Sequence, residues 1–110
     1  MEYQHKSLAN GGWQKLSFFE QMANIGSEVE RAIKWKNKNN AQYCSMAFER
    51  ALELLDLTIG SEKSGSRLRE LLRLREALAD YFAFDNIYSS SDEKWHTYFG
   101  AFSFAVRINH

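Results

Sequence analysis

The 110-residue chain has no proline, one cysteine and no net charge at neutral pH. A single cysteine, Cys44, excludes an internal disulfide and a cysteine-based zinc site. The balance of 14 basic and 14 acidic residues disfavours a protein that coats RNA or DNA, because such proteins carry an excess of basic residues. A balanced total charge is still compatible with a local basic patch. Apolar runs are only a few residues long, so we expect no signal peptide, no membrane contact and a cytoplasmic location.

Four stretches repeat apolar residues at three- and four-residue steps, the period of an α-helix that buries one face. With no proline, none of them is interrupted, and polar loops of roughly four to eight residues favour antiparallel neighbours. The sequence therefore predicts an all-α, antiparallel up-and-down four-helix bundle. Its helices are expected at residues 17–36, 41–59, 67–84 and 92–110.

One domain of this length can bury a core without disulfides or metal. We assign it to residues 17–110, preceded by a loose lead at residues 1–16 whose Trp13 and Leu16 are candidates for docking on the bundle. Two S-x-x-E capping boxes predict helix starts, one at Ser17 with Glu20 and one at Ser90 with Glu93.

The third predicted helix carries Arg75 in the middle of its apolar face, which is expected to comprise Leu68, Leu71, Leu72, Leu78, Ala79 and Phe82. Asp80 is expected on the outer face. A guanidinium there needs a carboxylate partner, and the candidates are Glu28, Glu53 and Asp56. One interpretation is an ion pair that fixes the register of the helices. The other is a cavity in which Arg75, with Glu28 nearby, binds a carboxylate or phosphate ligand.

Basic residues collect at two further places. At the start of the third helix, Arg69 and Arg73 join Lys63 and Arg67 behind a Ser-Gly-Ser loop, a weak anion-site pattern or else a salt-bridged surface. Around the first turn lie Lys34, Lys36 and Lys38, next to Trp35. That tryptophan is either an exposed aromatic for binding or a packing contact with the next helix.

The fourth predicted helix is apolar on almost every side, which is typical of a helix buried on almost every side. Ala101, Phe104 and Ile108 lie opposite its main apolar stripe. They predict a contact with a second copy of the chain, or with another protein. The alternative is that the N-terminal lead covers them.

Candidate catalytic residues are few. His96 and Arg107 share the narrow polar side of the fourth helix and are the catalytic candidates. No phosphate loop, catalytic triad or repeated di-iron spacing occurs, so we expect no cofactor and no metal.

The segment from Ala41 to Leu55, which follows a charged helix and a tight turn, resembles the second helix of HEPN proteins, and Leu71–Phe82 resembles the third. The resemblance extends over residues 17–108. It implies a small helical bundle, often dimeric, related to RNA-cleaving toxins or to partners of nucleotidyltransferases. HEPN nucleases place a histidine four to six residues after an arginine. His96 has no arginine in that window, and Arg107 precedes His110 by three residues, so the nuclease motif is not matched.

These observations favour a non-catalytic interaction or regulatory module that acts as a homodimer. Two alternatives remain: an RNA-cleaving nuclease that uses His96 and Arg107, and a small-anion or nucleotide binder that uses Arg75.

Overall fold

The computed structural model describes residues 11–62 and 65–108, and every regular element within them is helical. The all-α prediction is therefore confirmed for this part of the chain, and its helices fall within one or two residues of the expected bounds. A short 3-10 turn, Trp13–Lys15, precedes four helices: α1 (Phe18–Asn37), α2 (Ala41–Ser61), α3 (Ser66–Ala83) and α4 (Asp92–Ile108). Residues 1–10 of the predicted lead and the last two residues of the predicted fourth helix lie outside the described residues.

The start of α1 follows the predicted capping box. Ser17 Oγ accepts a hydrogen bond from Glu20 N at 3.1 Å, and Glu20 Oε1 accepts one from Ser17 N at 2.9 Å. Both bonds satisfy amide groups that have no partner inside the helix. At the other end of α1, Asn39 takes a positive φ of 58°, and Asn40 Oδ1 accepts from Tyr43 N to begin α2.

The prediction of a second capping box at Ser90 with Glu93 is wrong. Ser90 N donates to Asn86 Oδ1 within the loop, so this serine is not the cap of α4. The cap is Ser91, whose Oγ accepts from Lys94 N at 3.2 Å. Three consecutive serines, Ser89 to Ser91, precede α4, and the Asn86 side chain forms hydrogen bonds with the backbone of Ser90.

Helix α1 is central to the packing: it lies against both α2 and α4, and α3 rests mainly on α2. The start of α1 meets the end of α2, where Gln21 contacts Thr58, and the end of α1 meets the start of α4, where Lys36 contacts Asp92. The buried apolar core draws on every helix. Its members are Trp13, Met22, Ile25, Val29, Ile33, Ala51, Leu54, Leu55, Leu71, Leu74, Leu78, Trp95 and Phe99.

Trp13, within the predicted lead, is completely buried. Its indole Nε1 donates to Thr58 Oγ1 at 2.8 Å, and its carbonyl accepts from Gln21 Nε2 at 2.9 Å. A buried tryptophan with its N–H satisfied gives both apolar burial and orientation. Trp13 is therefore packed into the bundle, and Leu16 lies at the edge of the core.

The buried face of α3 is rotated relative to the one expected. Leu74 is buried, whereas Leu72, expected to face inward, is 44% exposed. Asp80, expected on the outer face, is buried. Its carboxylate accepts hydrogen bonds from Ile87 N and Tyr88 N, at 2.9 and 3.0 Å. This rotation places Arg75 at the edge of the helix interface rather than in the core.

Candidate functional site

Three residues on α4 form an apolar surface that faces away from the core; we call Ala101, Phe104 and Ile108 the α4 outer stripe. Phe104 is 57% exposed and Ile108 62% exposed, and Ala101 is exposed as well. The inner face of the same helix carries Trp95 and Phe99, both buried. The outer stripe stays exposed although the described part of the lead packs against the core.

A groove of about 200 Å³ runs between α1 and α4. Two of its lining residues are glycines, Gly26 on α1 and Gly100 on α4. A Cβ built on Gly26 would lie 2.7 Å from Phe99 Cβ, which shows how closely the helices approach. The groove is lined by Gly26, Ser27, Glu30, His96, Phe99, Gly100 and Ser103.

His96 lies in this groove and is paired with α1. Its Nδ1 lies 2.5 Å from Glu30 Oε1, and both side chains are about half exposed. Arg107 is eleven residues further along the same helix, or about 16 Å at 1.5 Å per residue. The structure therefore does not bring the two catalytic candidates together.

Arg75 is paired with Asp56, one of its three candidate partners. Its Nε donates to Asp56 Oδ1 at 2.7 Å and its Nη2 to Asp56 Oδ2 at 3.3 Å. The hydrogen bond to Asp56 raises the pKa of Arg75. Both side chains are at least 40% exposed, so the pair lies at the surface between α2 and α3. Glu28 pairs instead with Arg31, at 2.8 Å.

Arg69 and Arg73 lie together on α3, in a shallow surface groove with Leu72, Glu76 and Tyr88. Glu76 accepts a hydrogen bond from the Tyr88 hydroxyl, so the groove holds an acidic group beside its two arginines.

Of the other basic residues expected at this end of α3, Arg67 lies 3.7 Å from Glu62 and over the Phe18 ring. Lys63, together with Ser64 of the loop, lies outside the described residues.

A polar cluster that sequence reasoning missed joins the ends of three helices. Lys36 Nζ donates to Asp92 Oδ1 at 2.8 Å and to the Tyr81 hydroxyl at 2.7 Å, and Tyr81 also donates to Asp92. Burial alone would raise the pKa of Asp92. The hydrogen bonds from Lys36, Tyr81 and Asn37 outweigh this effect and lower the pKa from its ordinary value of 3.8 to about 2. These residues come from segments far apart in the chain, so no local spacing reveals the cluster.

Cys44 is half-buried, and burial raises the pKa of its thiol. Within residues 11–62 and 65–108, no three histidine, cysteine or acidic side chains converge as metal ligands would. No helix in these ranges has the length and apolar character needed to cross a bilayer. The chain matches no protein-family model, and comparisons with curated proteins and with solved structures found no significant match.

Proposed function

We propose that this protein is a non-catalytic, cytoplasmic interaction module, related to HEPN proteins, that assembles as a homodimer through the α4 outer stripe. The proposed monomer is an antiparallel up-and-down bundle. The contacts between the start of α1 and the end of α2, and between the end of α1 and the start of α4, support that topology. The exposure of Phe104 and Ile108 is the observation that carries the dimer.

The energetics favour covering these side chains. A phenylalanine presents about 200 Å², so 57% exposure leaves about 110 Å² of Phe104 in water. Burying that area is worth about 2.8 kcal/mol at 25 cal/mol per Å². A two-fold dimer buries the side chain twice because each protomer contributes the same patch. Full burial of both copies of Phe104 therefore corresponds to about 5.5 kcal/mol of apolar transfer free energy, which offsets part of the entropy lost on association.

Charge substitution within the stripe tests this proposal. Phe104→Glu should dissociate the dimer and leave the fold intact, because the side chain is more than half exposed. Leu72→Glu is the matched control, since it changes an exposed apolar residue on α3 in the same way. Sedimentation equilibrium should give a monomer for Phe104→Glu and a dimer for Leu72→Glu. Dissociation by Leu72→Glu alone would move the interface to α3 and contradict the proposal.

The pairing of His96 with Glu30, and its separation from Arg107, support a role without RNA cleavage. We expect the purified protein to leave a labelled single-stranded RNA intact. Cleavage that disappears in both His96→Ala and Arg107→Ala would contradict this part of the proposal and would favour the nuclease alternative.

A further inference from the structure

The turn between α1 and α2 holds two aromatic rings against each other. The ring centres of Trp35 and Tyr43 are 4.9 Å apart, and the two ring planes meet at an angle of 77°. The turn fixes them: the Trp35 carbonyl accepts from Asn40 N at 2.9 Å, and Asn40 Oδ1 accepts from Tyr43 N at 3.0 Å. The same asparagine therefore positions both aromatic residues.

Beside this pair lies an open groove of about 300 Å³, lined by Trp35, Tyr43, Met46 and Arg50. Tyr43 is 46% exposed and Met46 is exposed, so aromatic and apolar surface faces the solvent here. No lining residue is acidic. This distinguishes the groove from the one on α3, where Glu76 accompanies the arginines.

Cations surround the aromatic pair. Lys34 Nζ and Lys38 Nζ lie 5.7 and 5.4 Å from the centre of the Trp35 ring, and Arg50 lines the groove. None of the three forms an ion pair with any carboxylate in residues 11–62 and 65–108. The N-terminus of α2 adds the positive end of a helix dipole. The groove thus combines a stacking surface with three cationic side chains.

We propose that this groove, here called the Trp35 groove, binds single-stranded nucleic acid. A base stacks on the aromatic pair, in which Tyr43 is exposed and Trp35 half-buried, and Lys34 and Lys38 leave the Trp35 ring to contact phosphates. Stacking surfaces flanked by basic side chains recognise single strands in this way, without reading their sequence.

The arrangement favours a base within a strand over a free nucleotide. A base inside a strand has a phosphate on each side, and Lys34 and Lys38 precede and follow Trp35 in the chain. A mononucleotide offers phosphate on one side only, so it would use only part of the positive charge.

Binding is tested by fluorescence anisotropy with a labelled oligouridylate of about twelve nucleotides, within the span of known single-strand sites. Trp35→Leu keeps apolar bulk but removes the stacking surface, and it should weaken binding by about 5- to 150-fold. Tyr43→Ala, at an exposed position, should weaken binding in the same direction and serves if Trp35→Leu does not fold. Uridine monophosphate should compete at least about tenfold more weakly than the oligonucleotide does.

The charges are tested with two double variants that remove equal charge. Lys34→Gln with Lys38→Gln should weaken binding, whereas Lys15→Gln with Lys94→Gln, at exposed positions outside the groove, should not. If Lys34, Lys38 and Arg50 each contact one phosphate, the logarithm of the affinity should fall with the logarithm of the salt concentration with a slope of about −2. The first double variant should reduce that slope to about −0.7, because one contact remains.

Intrinsic fluorescence gives a second readout. Trp13 and Trp95 are buried, so quenching on addition of oligonucleotide reports Trp35. Any of three results overturns the proposal: no anisotropy change up to about 100 μM protein at low salt, equal loss of binding in both lysine double variants, or mononucleotide binding as tight as that of the strand.

Discussion

Replacing Gly26 by alanine tests the closest contact between α1 and α4. The added Cβ would lie 2.7 Å from Phe99 Cβ and 3.0 Å from the ring carbons Cγ and Cδ1 of the same side chain. Phe99 is 2% exposed, and its Cβ is bonded to the α4 backbone, so a change of rotamer cannot relieve the clash. The two helices must move apart instead.

The expected cost follows from two opposing effects. Overpacking of a tight contact costs about 1–3 kcal/mol, whereas alanine in place of glycine within a helix gains up to about 1 kcal/mol. We therefore expect Gly26→Ala to lower the free energy of unfolding by about 1–2 kcal/mol. For a domain near 100 residues, that corresponds to a melting temperature about 4–8 °C lower.

Gly100→Ala is the matched control, because it makes the same change on the facing helix and its Cβ would meet nothing within 4 Å. It should raise the free energy of unfolding by about 0.5–1 kcal/mol. Urea denaturation followed by circular dichroism measures both variants. If Gly26→Ala is as stable as Gly100→Ala, the approach of α1 to α4 described here is wrong.

Three further predictions concern polar contacts. Asp92, with its pKa lowered to about 2, stabilises the fold above its ordinary pKa of 3.8, and this stability is lost as the pH falls toward 2. Between about pH 5 and 2.5, wild-type should therefore lose about 1 kcal/mol more unfolding free energy than Asp92→Asn, allowing for solvent screening. Arg75→Met combined with Asp56→Asn in a double-mutant cycle should give a coupling below about 1 kcal/mol, because the pair is exposed; a larger value would contradict a surface pair. Trp13→Phe should lower the free energy of unfolding, measured by urea denaturation, by about 1 kcal/mol more than Trp95→Phe does. The Trp13 indole donates a hydrogen bond, whereas the Trp95 indole has no partner within the described residues. Equal losses of stability in the two variants would count against the Trp13 hydrogen bond.

Much of the secondary structure could be predicted because its signals are local. Helical spacing and the Ser17 capping box mark α1, and the pattern of α4 places Phe104 and Ile108 opposite Trp95 and Phe99. The register of α3 could not be derived in this way. Its leucines support two buried faces, one with Leu72 and one with Leu74, and contact with α2 selects the second.

The site depends more on contacts between distant segments. His96 meets Glu30 and Arg75 meets Asp56 only after the helices pack. The sequence therefore offered several partners for Arg75, and for His96 it offered Asp92, which pairs instead with Lys36. Gly26 carried one signal that was missed: an isolated glycine inside a helical pattern often marks close packing.

The solution mass of the native protein tests the central claim most directly. Light scattering at tens of micromolar should give twice the 12.8 kDa mass of the chain, since the α4 outer stripe is then covered by a second copy. A mass of 12.8 kDa at every concentration would contradict the homodimer and leave the outer stripe without the partner proposed here.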